Sequence, residues 1–382
     1  MTNHSYLVEG SKGRIFLKQA EACHSVETAI PLSLARLATE AIGMRLGQAC
    51  APEAVPPCLH YDGQANIVAA EFVQGREVLP AALLKGAIFP GLACSLGSAL
   101  ARLAAGTTRE ALGHKAFGAL EAVAAASSSV ADLMEDLVLY LPFDRAAPHN
   151  RWPAELDAEV EALVHGDAAL MREVECMRRL RSGGGSPCFA HTDVWLNNIL
   201  VPEWPEGGGG GSQQQEVVPT IVDFEFGAIA PTSYDIGHTL GMLVLAAFLV
   251  RAYSDGADGG AVPGARRREQ EDWLLASVGE AWAEFERVWR GLQQRRSPWR
   301  QRAALPPPPL LADALGFAGC TVIRWAIGQF NIFRSLGVGD ASGAAHCAAV
   351  RRAVHAGAAM LRGRHAIKSA DEVADIARAE LA

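Results

Sequence analysis

His191-Thr192-Asp193-Val194-Trp195-Leu196-Asn197-Asn198 and Ile221-Val222-Asp223-Phe224-Glu225 are the two segments of this chain that decide its fold. The apolar run Ile199-Leu200-Val201 follows the first segment, and Thr220-Ile221-Val222 leads into the second. Each run predicts a short buried strand with a loop of polar side chains at one end.

The polar side chains in these two loops match the needs of phosphoryl transfer from a nucleotide. That reaction uses one carboxylate at the proton of the attacking hydroxyl, a second carboxylate that holds magnesium, and an amide oxygen that completes the metal shell. Asp193, Asp223 and Asn198 are the respective candidates. The alternative is that they are ordinary turn residues, because Asp and Asn are favoured in turns for local hydrogen bonds. Two ordered segments favour the catalytic interpretation.

Length and composition are typical of a globular protein with one large domain or two lobes. The 382 residues can bury a substantial core, and half of them are apolar while a fifth are charged. The formal net charge is −8, and basic clusters are limited to local runs such as Arg266-Arg267-Arg268 and Arg295-Arg296. This balance argues against a nucleic-acid partner.

Cysteine usage and hydropathy favour a cytoplasmic protein without a membrane partner. The eight cysteines form no CxxC pair, so free thiols in a reducing compartment are expected rather than disulfides or zinc ligands. Residues 1–5 do not resemble a secretory leader. The longest apolar stretch, Leu240–Val250, is too short to span a bilayer and predicts a buried helix.

The order of elements predicts an α+β chain with two lobes. Strand-forming runs around turns at Gly10 and Gly63, with one helix over Leu32–Cys50, predict a β-rich N-terminal lobe over residues 1–75. Helical periodicity over residues 76–382 predicts a mostly helical C-terminal lobe that contains the two motif strands. A doubly wound sheet would need strands and helices to alternate throughout, which they do not. The Gly- and Gln-rich run near residues 204–216 predicts a disordered surface loop.

Two features of the N-terminal lobe are candidates for nucleotide binding. Lys18 ends a strand and is placed to pair with Glu40 on the following helix, as the lysine and glutamate of kinases do. A surface lysine is the alternative, and the later motifs favour the functional interpretation. Glu71, Phe72 and Val73 fall where the lobes meet, and backbone groups of such a hinge can hydrogen-bond an adenine edge. An ordinary strand end is the alternative there.

Asp223 and Glu225 alternate with Phe224 in a segment that the pattern predicts to be extended. In a strand, both carboxylates would face the same side and would offer magnesium two oxygen ligands. Asn198 is the expected third ligand. Asp235 is expected to be structural, because its position suits capping of the next buried helix and bracing of the catalytic loop.

Further segments along nearly the whole chain extend the two motif loops. They are Val8-Glu9-Gly10-Ser11-Lys12-Gly13 with Leu17-Lys18-Gln19-Ala20, Glu135-Asp136-Leu137-Val138 with His149-Asn150-Arg151-Trp152, Asp223–Phe226 through Pro231 to Asp235-Ile236-Gly237, and Gly316–Cys320 to Ile323-Arg324. Together they resemble the aminoglycoside phosphotransferase and choline kinase superfamily and, within it, the methylthioribose kinase family.

This resemblance implies a two-lobed protein-kinase-like fold with ATP and Mg²⁺ as cofactors. It implies the 1-hydroxyl of 5-methylthioribose as acceptor, in methionine salvage, and it suggests a homodimer. Arg324 is matched to an arginine that binds the substrate and the transferring phosphate, a role suited to a permanently charged planar group. The expected site residues are Asp193 and Asn198 for catalysis; Lys18, Glu40, Glu71, Phe72, Val73, Asp223, Phe224 and Glu225 for the nucleotide; Asp193 and Arg324 for the sugar; and Asn198, Asp223 and Glu225 for the metal.

Six residues depart from the family's usual pattern, and one of them is Asn198, which stands where methylthioribose kinases often carry Ser. Thr192 and Trp195 stand at the second and fifth places of a loop that is usually His-Gly-Asp-Leu-His, and Phe224 stands where Pro is usual. Trp325 replaces the second of a paired arginine, and Asn331 sits where a His is common. These changes are expected to cluster near the acceptor pocket.

Two alternatives to methylthioribose kinase activity stay open at this point. One keeps the reaction and changes the acceptor to another sugar, an amino alcohol or an aminoglycoside, although Arg324 and Arg334 disfavour a polycation. The other is a catalytically inactive, kinase-like nucleotide-binding protein. It is motivated by the altered loop and by Met1, which aligns inside the family's phosphate-covering loop and implies an N-terminal lobe without the family's first strand.

Overall fold

The computed structural model describes residues 3–11, 13–22, 31–205, 216–257, 262–294, 310–338 and 343–382. Most of the predicted loop near 204–216 lies outside these ranges. The strands are β1 (Asn3–Gly10), β2 (Gly13–Ala20), β3 (Cys58–Asp62), β4 (Ile67–Glu71), β5 (Arg76–Val78), β6 (Pro187–Ala190), β7 (Ile199–Pro202), β8 (Thr220–Ile221) and β9 (Ala228–Pro231). The α-helices are α1 (Arg36–Cys50), α2 (Leu79–Leu84), α3 (Leu92–Gly106), α4 (Arg109–Leu112), α5 (His114–Ala126), α6 (Ser128–Glu135), α7 (Asp157–Val160), α8 (Ala168–Arg179), α9 (Tyr234–Ala252), α10 (Gly264–Gln294), α11 (Leu311–Ile327), α12 (Ile332–Ser335), α13 (Ala344–Gly363) and α14 (Asp371–Leu381).

An antiparallel sheet with the strand order β1-β2-β4-β3 is formed by the first strands of the chain. The predicted hairpin is confirmed. Its strands are longer than the predicted strand-forming runs, and they pair as far as the turn, where Gly10 lies opposite Gly13. Gly13 has φ +133°, a conformation that L side chains rarely adopt, so glycine suits this end of the turn. Lys18 lies opposite Val68 of β4, near the middle of the sheet.

Helix α1 joins this sheet to the second motif. It packs against β3 and β4 and against the short 3₁₀ turn Phe224–Phe226. The close approach depends on Gly43, because a Cβ at that position would lie 2.7 Å from the Cβ of Phe224. As a result, Arg36 and Glu40 of α1 reach the carboxylates of the second motif.

The core of the helical region is built around α9. This helix packs against α10, α11 and α13, and its apolar residues cover its whole circumference, as expected for a helix buried on all sides. Tyr234–Asp255 would be long and apolar enough to cross a membrane, but 94% of its apolar window is buried inside the protein. The buried helix predicted over Leu240–Val250 is therefore confirmed.

Two small antiparallel sheets hold the motif loops. They have the orders β5-β7-β8 and β6-β9, and β7 and β8 correspond to the two predicted motif strands. Ile199 at the start of β7 pairs with Ile221 at the end of β8. Because the first motif precedes β7 and the second follows β8, both polar loops emerge at the same end of the strand pair.

The prediction that Asp223 and Glu225 lie on one strand is wrong. Strand β8 ends at Ile221, Asp223 adopts the left-handed conformation with φ 71°, and a 3₁₀ turn follows. The turn, rather than strand alternation, sets the direction of the two carboxylates.

Candidate active site

The first motif loop is held by hydrogen bonds to groups outside it. The carboxylate of Asp235 in α9 accepts the backbone N–H groups of His191 at 2.7 Å and Thr192 at 2.9 Å. The imidazole Nε2 of His191 lies 2.9 Å from the carbonyl oxygen of Val222 and so ties the first motif to the second. The expectation that Asp235 braces the loop is confirmed, but the expectation that it caps the helix is wrong, because Ser233 is the N-cap of α9 and Asp235 lies in its first turn.

Asp193 and Asn198 face each other across this loop. The side-chain amide of Asn198 donates to the backbone oxygen of Asp193 at 2.8 Å and to its carboxylate at 3.3 Å. With Nδ2 used in this way, Oδ1 is the atom of Asn198 that suits a metal. Burial raises the pKa of Asp193 to about 6, and the charge of Arg324 opposes that rise.

Lys18 pairs with Glu40, as predicted, and it also pairs with Asp223, which was not predicted. Its Nζ is 2.7 Å from Glu40 and 2.5 Å from Asp223. Burial works against its charge, but Asp223 and Glu40 outweigh burial and raise the pKa of Lys18. Burial likewise favours the neutral form of Asp223, but Lys18 holds the pKa of that carboxyl below its usual range. Burial raises the pKa of Glu40 to about 7, against the opposing effect of Lys18.

Glu225 is bound to an arginine that the sequence analysis did not identify. The Nε of Arg36 donates to Oε2 of Glu225 at 3.0 Å, and the Asn3 side chain donates to the same oxygen at 2.7 Å. The side chains of Arg36 and Glu225 are 0% and 1% exposed, so this is a buried ion pair. Arg36 precedes Glu40 by one helical turn, and this shared helix face was the available sequence signal.

The hinge residues Glu71, Phe72 and Val73 line two adjoining cavities. One, of about 850 Å³, extends to the hairpin glycines Gly10 and Gly13. The other, of about 370 Å³, is also lined by Lys18, Glu40, Asn198 and Asp223. The predicted adenine-binding and phosphate-binding residues therefore share one cleft. Arg76, which was not predicted, lines both cavities and donates to the backbone oxygen of Val218 at 2.7 Å.

A further cavity, of about 240 Å³, also reaches Asp223. Asp193, Asp223, Glu225 and Arg324 line it. Asp223 lines both this cavity and the Lys18 cleft, so the two spaces share this residue. Burial lowers the pKa of Arg324 to about 10, and its Nη1 has no hydrogen-bond partner within the described part of the chain.

Two tryptophans form one wall of the cavity that Asp193 and Arg324 line. The rings of Trp195 and Trp325 stack with centroids 5.0 Å apart and planes inclined by 16°. The guanidinium of Arg324 lies 3.6 Å from the centroid of the Trp325 ring. Both tryptophans were recognised as departures from the family pattern. Their contact was not predicted, because the two residues are far apart in the chain.

The other departures do not cluster at this cavity. Phe224, predicted to bind the cofactor, is wholly buried and packs against the His191 ring, with centroids 4.4 Å apart. Asn331 is buried, caps α12 by accepting from the Arg334 N–H, and bonds to the backbone of Ala326. Phe224 and Asn331 were predicted to lie at the site. These predictions are wrong, because both side chains are packed in the protein interior.

Thr192 is also an internal residue. Its backbone has φ 63°, a conformation that a β-branched residue adopts only at a cost, and its hydroxyl donates to the Phe226 carbonyl at 2.7 Å. The family's usual glycine would meet no such cost at this φ.

The carboxylates at the centre of the site fit a divalent cation. One oxygen each from Glu40, Asp223 and Glu225 lies within 4.8 Å of the others. Oε2 of Glu40 is buried and has no hydrogen-bond partner among the described residues. Carboxylate and amide oxygens are the ligands that magnesium prefers, and Asn198 adds an amide beside Asp223.

Fold and site together define a phosphotransferase with an alcohol group as acceptor. A model of the phosphotransferase enzyme family matches residues 1–271. The chain belongs to that family, which confirms the predicted superfamily and the kinase-like α+β fold with ATP as donor.

The curated relatives agree with this assignment. Methylthioribose kinase 2 of Oryza sativa subsp. japonica is 25% identical over 394 residues, which cover 97% of this chain and 86% of the relative. Methylthioribose kinase of Cronobacter sakazakii is 27% identical over 370 residues, which cover 94% and 85%. Among solved structures, an ethanolamine kinase of Plasmodium vivax has a TM-score of 0.41 at 12% identity, covering 92% of this chain and 82% of that one. That likeness is too low to carry an argument.

Proposed function

We propose that this protein is an ATP-dependent, magnesium-requiring kinase that converts 5-methylthioribose into 5-methylthioribose 1-phosphate. The observation that carries the proposal is the position of Asp223, which lines both the Lys18 cleft and the Asp193 cavity. A phosphoryl donor in the cleft and a hydroxyl acceptor in the cavity would then meet at one carboxylate. The relatives that bear the name methylthioribose kinase support the choice of acceptor.

In this proposal Asp193 receives the proton of the acceptor's 1-hydroxyl. The hydroxyl oxygen forms a bond to the γ-phosphorus as the bond from that phosphorus to the β-bridging oxygen breaks, and ADP leaves. The raised pKa of Asp193, about 6, makes its carboxylate a better proton acceptor than an exposed aspartate, while it stays ionised at neutral pH.

The remaining residues bind and orient the reactants. The hinge backbone at Glu71–Val73 holds the adenine, and Lys18, kept charged by its two carboxylate neighbours, contacts the phosphates. Arg324, with a buried Nη1 that lacks a partner in the described ranges, stabilises the transferring phosphoryl group from the acceptor side. Asp223, Glu225 and Asn198 would hold magnesium, which would supply positive charge to the phosphates.

The direct test is ADP release from ATP and magnesium in the presence of methylthioribose. Ribose, choline and an aminoglycoside serve as competing acceptors, and phosphorus NMR identifies the product. We expect one ADP for each sugar 1-phosphate formed. A thermal shift with ATP and magnesium but no turnover on any acceptor would instead support an inactive nucleotide-binding protein. Turnover confined to choline or the aminoglycoside would overturn the choice of acceptor.

A further inference from the structure

We propose that the stacked pair Trp195–Trp325 determines acceptor specificity, and that the cavity it lines selects a neutral sugar carrying an uncharged apolar substituent. This inference rests on the proposed function, since it concerns the acceptor of that phosphoryl transfer. Its residues are this chain's own departures from the family pattern.

The apolar character of the cavity comes from several elements of the fold. Besides the two tryptophans, its walls include Leu133, Met134, Leu137, Phe226 and Phe330. A volume of about 240 Å³ is below the roughly 300–1,000 Å³ of pockets for drug-sized ligands. A cavity of this size suits one sugar ring with a short substituent better than it suits an aminoglycoside of several rings.

Two buried donors indicate where the polar part of the acceptor binds. Trp325 is 4% exposed and Arg324 is 5% exposed, and both line the cavity. The indole N–H of Trp325 and Nη1 of Arg324 have no hydrogen-bond partner within the ranges that the structure describes. Buried donors normally find an acceptor, and the hydroxyl or ring oxygens of a sugar would supply it.

The same aromatic wall could in principle bind a quaternary ammonium group through cation–π contact. Here a cation already occupies that role, because the Arg324 guanidinium lies 3.6 Å from the Trp325 ring centroid. The carboxylates of Asp193, Asp223 and Glu225 also line the cavity, but each already has a cation beside it. Lys18 pairs with Asp223, Arg36 pairs with Glu225, and the charge of Arg324 acts on Asp193. A further positive charge on the acceptor is therefore disfavoured. The half-buried Trp195 keeps accessible surface, and we assign it the contact with an uncharged apolar group.

The test compares acceptors that differ only in the 5-substituent: ribose, 5-amino-5-deoxyribose and 5-methylthioribose, with choline as the cationic alternative. The variants are Trp195→Ala, which removes the apolar surface, and Trp325→Phe, which keeps an aromatic ring and removes the N–H. Trp273→Phe is the matched control, because Trp273 packs beside Phe89 and also has a buried indole N–H without a partner among the described residues.

We expect the unchanged enzyme to prefer methylthioribose over ribose by about 10–200-fold in kcat/KM, the range that one small apolar group provides. Trp195→Ala should reduce that ratio about tenfold, and Trp325→Phe should lower kcat/KM for both sugars while keeping the ratio. The Trp273→Phe control should change neither. An unchanged ratio in Trp195→Ala, or a preference for the amino sugar or choline, would overturn the inference.

Failure of the proposed function gives a different result. In that case no acceptor is phosphorylated. The inference is then tested by calorimetry, which measures how tightly each sugar binds to the ATP-loaded protein. Tighter binding of methylthioribose than ribose, lost in Trp195→Ala, supports it. Equal binding of the two sugars contradicts it.

Discussion

Replacing Arg36 by leucine should destabilise the protein by about 3–5 kcal/mol, the usual cost of leaving one partner of a buried ion pair uncompensated. The magnitude follows from burial, because the side chains of Arg36 and Glu225 are 0% and 1% exposed. Arg351 and Glu159 form a pair with the same 3.0 Å separation, but their side chains are 44% and 34% exposed. For that pair, Arg351→Leu should cost only about 0–1 kcal/mol.

Urea unfolding at neutral pH measures the loss of unfolding free energy in Arg36→Leu and in Arg351→Leu. The set comprises Arg36→Leu, Glu225→Gln, the double variant and the Arg351→Leu control. The double variant should regain part of the stability lost in Arg36→Leu, since Glu225→Gln removes the uncompensated charge. The coupling energy of the cycle should exceed about 1 kcal/mol. Equal losses in Arg36→Leu and Arg351→Leu, with no recovery in the double variant, would refute the reasoning.

Three further outcomes follow from the site and its surroundings. Asp193→Asn should keep ATP binding and lower turnover by about 10²–10⁴-fold, as measured by steady-state kinetics, and near-normal turnover would discard Asp193 as the base. Asp223→Ala should abolish the magnesium-dependent part of ATP affinity in calorimetry, and unchanged affinity would refute its metal role. Burial lowers the pKa of His238 from 6.5 to about 3, so below pH 6.5 the unfolded state binds the extra proton and stability falls, by up to about 1.4 kcal/mol per pH unit. His238→Leu should flatten that acid slope in urea midpoints, and an unchanged slope would contradict the assignment.

Local pattern was enough to predict the two motif strands and the Lys18–Glu40 pair of the cleft. β7 and β8 follow from short apolar runs, and Lys18 and Glu40 stand out because a lysine at a strand end and a glutamate on the next helix complement each other. The two motif loops meet because antiparallel pairing of β7 with β8 brings their polar ends together.

Contacts between distant segments were not available from local pattern. The Arg36–Glu225 pair joins residues separated by 189 positions. The spacing of Arg36 and Glu40 on α1 could place Arg36 on the face of the site, but it could not identify Glu225 as its partner. The left-handed turn at Asp223 replaced a predicted strand, because the backbone turns as soon as β8 ends. The Trp195–Trp325 stack likewise depends on how α11 packs beside the first motif loop.

Helix α1 carries both Arg36 and Glu40, and Gly43 sets its distance from Phe224. This one helix thus positions both Lys18 and Glu225. A displacement of α1 would therefore break the Lys18–Glu40 and Arg36–Glu225 pairs together. A larger side chain at Gly43 would displace α1 in this way although it lies outside the cleft.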